Sequence, residues 1–409
     1  MDKRLAVPLA ALCAVPFIMV LGNSMLIPVL PQIRETLHLT QLQSGLLITA
    51  FSVPAGLVIA FIGILSDRIG RRAVIAPSLI VYGLAGALAG LAAVTLRRPY
   101  AAILGARVLQ GLGAAGTAPV AMALVGDLFQ SEERTKALGF LEAANGLGKV
   151  LSPVLGAGAA LLAWYAPFFV YAALAVPTAV AVWCLCPEKR RPPVPPPFRQ
   201  YFTDLAGVFR QKPGSLLACY LAGGLILFTL FGILFYFSDQ LEKVYRIQGV
   251  AKGLLIALPV AAMTVTSSLT GAFLQQRAQL LKTSTVLGLL CVTAALLLLV
   301  PVKGRPLLTA ALVTLLGVGN GLALPALNTM VTSAAAGQTR GMVTSLYGAV
   351  RFIGVALGPP TVGWLMGRGA SAVYWPIGAA AAVTAGLVWW LLDDRRLRPP
   401  AGGDPAPPG

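Results

Sequence analysis

The chain has 409 residues, 57% of them hydrophobic and only 11% charged, where a soluble globular domain carries about 25% charged residues. That composition excludes an ordinary soluble enzyme or binding domain. The formal net charge of +17 does not point to nucleic acid either, because the basic residues are scattered through short loops rather than gathered on one patch.

Twelve apolar segments follow in chain order, at 6–30, 42–65, 73–95, 101–126, 137–161, 166–186, 216–238, 252–274, 284–302, 306–331, 341–367 and 372–392. Uncharged runs such as Leu5 to Ile33 and Val150 to Pro187 exceed the ~18 residues that mark a membrane-spanning helix. The basic start MDKR resembles a signal peptide, but the apolar run leads into PVLP rather than a small-residue cleavage site. It is read as a retained first helix. The five cysteines, Cys13, Cys184, Cys186, Cys219 and Cys291, all lie in or at the edge of apolar segments. They are read as small apolar side chains, with neither a disulfide framework nor a metal site expected.

The loop between the second and third segments reads GILSDRIGRR, Gly63 to Arg72. Short arginine-rich loops stay in the cytoplasm. Assigning loops alternately places roughly twice as many Lys and Arg on the side of this hairpin as on the other, which predicts both termini in the cytoplasm. Trp164, Tyr165, Tyr374 and Trp375 fall at predicted outer ends, and Trp183, Trp389 and Trp390 near inner ends, as an interfacial belt requires.

The long interior loop begins PEKRRPPVPPP, a proline run too stiff to be helical, and Phe198 to Phe209 is expected to form an amphipathic surface helix. The predicted organisation is a six-helix bundle at 1–186, a cytoplasmic linker at 187–215, a second six-helix bundle at 216–392 and a disordered tail at 393–409. The bundles look like repeats. Gly111, Gly113 and Pro119 recur as Gly317, Gly319 and Pro325, and Gly148, Ser152 and Pro153 correspond to Gly354, Gly358 and Pro359, always at an offset of 206 residues. Repeated halves are common in secondary transporters.

The polar residues within the apolar segments carry the chemistry. Arg107 is costly in hydrocarbon and needs a cavity or a partner, for which Asn23 is a plausible neighbour. Segment five carries Glu142, Asn145 and Lys149 on one helical face. Glu142 is the only acidic residue inside the drawn segments; a lone buried carboxylate exchanges a proton near neutral pH. Ion pairing with Lys149 or Arg107 is the alternative. Arg351 adds a third intramembrane base, so a cavity lined by all four charges is net positive and favours anionic or zwitterionic cargo. Phe231, with Phe228 and Phe235, lines an apolar pocket or packs within the bundle.

Gly63, Asp67, Arg68, Gly70, Arg71 and Arg72 match the signature hairpin of the major facilitator superfamily, which the chain resembles over nearly its whole length. The resemblance implies a major facilitator fold of twelve transmembrane helices in two pseudo-symmetric six-helix bundles, all-α and membrane-integral. It also implies a cytoplasmic gate in which Asp127 pairs with the hairpin arginines; the second-half counterpart from Gly271 has lost the acid, so the gate is asymmetric. Arg107 to Gly113 resembles the superfamily's fourth-helix motif. Leu21 and Gly22 with Pro28 and Pro31 resemble the first-helix motif of drug:proton antiporters. Gly139, Gly148 and Pro153 resemble the antiporter motif, with departures at Ser152 and Ala157 and with Gly156 one place early.

The resemblance therefore implies a proton-coupled multidrug-efflux antiporter of the inner membrane, exporting small amphiphilic compounds by alternating access, with Glu142 and Arg107 in proton coupling. It implies no cofactor beyond the proton gradient, a small-molecule substrate, the lipid bilayer and protons as partners, no nucleic acid, and a monomer. The same fold also accommodates a transporter of organic anions, metabolites or lipid-linked molecules, and a different class would be a membrane sensor or scaffold without flux. No nucleophile–base set, carboxylate pair or phosphate-binding loop accompanies these residues, so an enzyme is not expected.

Overall fold

In hydrocarbon every backbone amide needs an internal partner, so a chain of this composition folds as helices. A computed structural model describes residues 3–129, 131–188, 198–302, 304–335 and 337–393. Among these the regular elements are helical. The first half comprises α1 (Lys3–Ser24), α2 (Leu30–Thr36), α3 (Gln41–Ile69), α4 (Arg71–Thr95), α5 (Tyr100–Ala115), α6 (Ala118–Leu128), α7 (Ser131–Ala160) and α8 (Ala166–Leu185). A connecting helix, α9 (Phe198–Gln211), precedes α10 (Pro213–Lys243), α11 (Gly249–Gln276), α12 (Leu281–Leu299), α13 (Pro306–Ser333), α14 (Gly337–Met366) and α15 (Ala370–Leu391). Eleven spans among the described residues are long and apolar enough to cross a membrane; the more polar α7 completes the expected twelve.

Several boundaries differ from expectation. Segment 6–30 breaks after Ser24, and Pro31 sits in the first turn of a separate short α2. Segment 101–126 breaks at Gly116 and Thr117, ahead of Pro119, which has no N–H to continue the helix. Helices α3 and α10 run past their drawn ends and carry Asp67, Asp239 and Glu242 with them. The second bundle begins at Pro213, three residues early. The surface helix forms as α9, whereas the proline tether at 189–197 and the tail at 394–409 lie outside the described residues.

Local chemistry accounts for the sharp turns. A capping box starts α3: the Thr40 hydroxyl accepts from the Gln43 amide at 3.2 Å and the Thr40 amide donates to Gln43 Oε1 at 2.8 Å. Gly70 joins α3 to α4 at φ +108°, a left-handed conformation, and an added Cβ there would meet the Glu188 carboxylate at 2.7 Å.

The repeat is physical. Adding 206 to the bounds of α7 gives those of α14, and α3 maps onto α11 to within two residues. Gly111 lies so close to α3 that a Cβ would overlap the Phe51 carbonyl, and Gly317 stands in the same relation to Pro259 on α11. Gly113 packs on the backbone of Tyr82, and Gly319 on that of Gly288. Lipid is as apolar as leucine, so such small-residue contacts hold the bundles together. The halves meet along two seams related by the same repeat, α3 against α14 and α7 against α11. Outward faces carry exposed Leu57, Phe61, Leu84, Leu88 and Trp390, which suits a lipid environment.

Candidate functional site: a two-bundle transport pathway

At the hairpin end, Arg71 gathers the acids. Its Nη2 lies 2.6 Å from Asp67 Oδ1, its Nε 3.3 Å from Asp127 Oδ2, and its Nη1 donates to Ser66 Oγ at 2.7 Å. Asp127 is thus the arginine's partner, as expected. Asp67 pairs with the same arginine one helical turn along the hairpin. Arg72 donates to the carbonyls of Trp183 and Cys186 at 3.1 and 3.3 Å and lies 3.7 Å from Glu188. These contacts brace α3, α4, α6 and the end of α8 within one half. None of them crosses to the second half.

The halves meet closely at the end away from the hairpin. Away from the hairpin, Gly45 on α3 meets the backbone of Pro359 and Pro360, Gly363 on α14 meets the Gln41 carbonyl, and Gly253 on α11 meets the Pro153 carbonyl. Thr49 Oγ1 donates across the seam to the Ala356 carbonyl at 2.6 Å, and Ser238 Oγ to the Ile27 carbonyl at 2.8 Å. Near the hairpin, Gly63, Gly139 and Gly341 have no described atom within 4 Å of an added Cβ. Gly63 therefore makes no close helix approach to any described residue.

The shut end holds a charge cluster that the sequence reading missed. Arg34 of α2 lies 3.2 Å from Asp239 of α10, across the two halves, and Gln41 donates to the same carboxylate at 3.3 Å. Arg34 is only 7% exposed. Beside it, the buried Lys252 Nζ pairs with Glu242 at 2.5 Å. Asp239 fell one residue beyond the drawn segment and Arg34 was counted as a loop charge. The repeat held the signal: residue 34 maps to 240, next to Asp239.

Arg107 sits within the first bundle at 0% exposure. Its Nε donates to the Leu47 carbonyl at 3.1 Å, Nη1 to Gln110 Oε1 at 2.7 Å and Nη2 to Asn23 Oδ1 at 2.7 Å, and it lies 4.5 Å from the Phe51 ring centroid. Asn23 in turn donates to Ser52 Oγ at 2.7 Å. The expected Asn23 contact is present. The suggested partnership with Glu142 is not among these bonds, and Asn23 serves the arginine inside the bundle rather than lining an open cavity.

Glu142 is exposed, with Asn145 Nδ2 3.4 Å from its Oε2. The premise of a buried lone carboxylate is therefore corrected: the Glu142 side chain is exposed. Lys149 is half-buried and lies seven residues after Glu142 on α7. Among the described residues it forms no hydrogen bond or ion pair. Arg351, from the other half, approaches Asn328 Oδ1 at 3.4 Å and lies 5.5 Å from the Tyr347 ring, while its buried Nε has no partner. Phe228 and Phe231 are half-buried against the core, and Phe235 is buried within it. On the antiporter-motif helix, Gly148 packs on the Phe17 backbone and Gly156 on the Met25 carbonyl; Ser152 is fully buried with its hydroxyl unpartnered. Among the described residues no group of His, Cys, Asp or Glu is arranged to hold a metal ion.

Two repeated helical bundles meet along two seams, with an ion pair joining them at the end away from the hairpin. The Major Facilitator Superfamily model matches residues 12–359, and again 286–408. The chain belongs to the major facilitator superfamily. This major facilitator chain is 37% identical over 388 residues to the bacillibactin exporter of Bacillus subtilis, covering 94% of the chain and 96% of that protein. It is 26% identical over 356 residues to multidrug resistance protein 2 of the same organism, covering 85% and 86% respectively. The fold matches a bacterial homologue of the human lysosomal transporter Spinster, in an inward-facing occupied conformation, with a TM-score of 0.74 to 0.75 across its two states. For the occupied state the identity is 18% and the match covers 98% of this chain and 100% of that one. Members of this superfamily are transporters and not enzymes.

Proposed function

We propose that this chain exports a small amphiphilic molecule from the cytoplasm, and that its cargo belongs with that of the bacillibactin exporter rather than with a broad set of drugs. The observation that carries the reading is end-to-end similarity to an exporter, 37% identity over 94% of the chain, against 26% for the multidrug protein. The arginine-rich hairpin supports a cytoplasmic placement of its end of the bundles, so the cargo enters there and leaves after the Arg34–Asp239 end parts.

Proton exchange at Glu142 serves as the drive if the cargo is cationic. Protonating that carboxylate removes the negative charge that shares a helix face with Lys149 and expels a cation, which is the sign antiport needs. An antiporter requires this competition between proton and cargo.

The test is export from bacteria lacking their own siderophore exporter. Cells expressing this chain are expected to release bacillibactin, with little gain in resistance to ethidium or quinolones. Broad drug resistance without bacillibactin release would overturn the cargo assignment. Retention of every compound tried would overturn export itself.

A further inference from the structure

The two acids at the end away from the hairpin have unequal duties. Asp239 of α10 lies 3.2 Å from Arg34 of α2, accepts from Gln41 Nε2 of α3 at 3.3 Å, and lies 3.7 Å from Lys243 on its own helix. Arg34 and Gln41 belong to the other half. Glu242, three residues further along α10, pairs with Lys252 of α11. Asp239 thus spans the two halves, whereas the Glu242 pair lies within one. The Arg34 and Asp239 side chains are 8% and 13% exposed, but the flanking Lys243 and Glu35 are 43% and 58% exposed, so the pair lies beside a watered edge. The other charged and titratable groups around this end have contacts of their own. Tyr374 of α15 donates to Gln240 at 3.3 Å and meets Tyr236 edge-on, and Tyr245 shares a hydrogen bond with Thr309 of α13. Arg368, after α14, lies 4.0 Å from the Trp364 ring centroid. His38, in the turn after α2, is exposed.

A proton on Asp239 and its ion pair with Arg34 exclude each other. Protonation leaves the buried Arg34 guanidinium with one acid, the exposed Glu35 at 3.9 Å. Removing one partner of a buried pair strands the other charge, and Arg34 regains water when the end parts. We infer that Asp239 is a proton-operated latch: a proton arriving from outside the cell breaks its bond to Arg34 and parts the outer end of the two halves. The inference rests on the export reading, which sets this end outside and requires it to open. By linkage, protonating the carboxylate and freeing it from Arg34 favour each other. The end therefore stays joined as pH rises and parts as pH falls, by at most about tenfold in population per pH unit for a single proton. The Glu242–Lys252 pair stays intact in both forms, because neither partner has to cross between the halves.

The experiment is double electron–electron resonance on the purified full-length protein in lipid nanodiscs, without cargo. Cys184→Ser removes the exposed native thiol, and spin labels sit at the outer ends of α3 and α14, away from the cluster. Distances are compared at about pH 8 and about pH 5, a range that spans carboxylate protonation. The parent is expected to gain a longer-distance population at the lower pH. Asp239→Asn and Arg34→Gln should each show that population at both pH values, with melting temperatures checked for folding. Asp239→Glu should restore the response to pH, and His38→Gln should keep it. A parent distribution that ignores pH would overturn the latch. So would a pH response that persists in Asp239→Asn or Arg34→Gln, or one that vanishes in His38→Gln. Because no cargo is present, these outcomes are independent of export, which is read separately from the bacillibactin release assay in cells.

Discussion

Arg107 shows how a membrane protein keeps a charge without a counter-ion. A guanidinium in hydrocarbon is expensive, and here three neutral oxygens and an aromatic face take the place of a carboxylate. All three arms of the fork are used, and lysine cannot reproduce that geometry. Arg107→Lys should therefore lower the stability of the purified protein by about 1.5–3 kcal/mol, and Arg107→Ala by more, as the acceptors lose charged hydrogen bonds. Thermal unfolding in detergent measures it; an unchanged midpoint in Arg107→Ala would contradict the structural role. Glu142 illustrates the opposite case. Its apolar sequence neighbours suggested burial, but the side chain is exposed. Sequence records which residues adjoin along the chain, whereas exposure depends on which helices pack against that face.

At the scale of helices, glycine decides where two backbones may touch. Gly111 and Gly317 hold repeat-equivalent positions against the carbonyls of Phe51 and Pro259, with no room for a methyl group. Gly63, although part of the signature hairpin, has open space around its missing Cβ. Gly111→Ala and Gly317→Ala are expected to destabilise the fold by about 1–3 kcal/mol each through overpacking. Gly63→Ala should leave the melting temperature unchanged and slow transport, if the hairpin end of the α3–α14 seam closes during the cycle. Equal melting temperatures for all three variants would refute the packing assignment. Helix number, the half-chain repeat and the hairpin were legible because periodicity and constant spacing are properties of the sequence itself. The breaks after Ser24 and at Gly116 were signalled by nearby prolines, yet uniform apolarity masked them.

Across the whole molecule, the position of the closed end governs the state. Arg34 and Asp239 join the halves there, reinforced by Gln41 and by Ser238 on the Ile27 carbonyl. Asp239→Asn weakens a charge-assisted contact to a buried arginine, a loss of about 1–3 kcal/mol for the closed end, or up to roughly a hundredfold in population. Spin labels placed on α2 and α10 should show a longer separation in the variant by double electron–electron resonance. An unchanged distance distribution would mean that apolar contacts such as Gly45 on Pro359 and Pro360 hold this end alone.

The sequence by itself determined that the chain is a membrane-embedded helical repeat with a major facilitator hairpin, because hydropathy, charge bias and spacing are one-dimensional quantities. It also listed the three intramembrane bases and the acid beside them. Tertiary structure alone decided what those charges do: Arg107 is spent within one bundle, Arg351 approaches Asn328 within the other, and Arg34 finds Asp239 some two hundred residues away. Electrostatic energy depends on distance and surrounding medium, and both are fixed only when the helices pack.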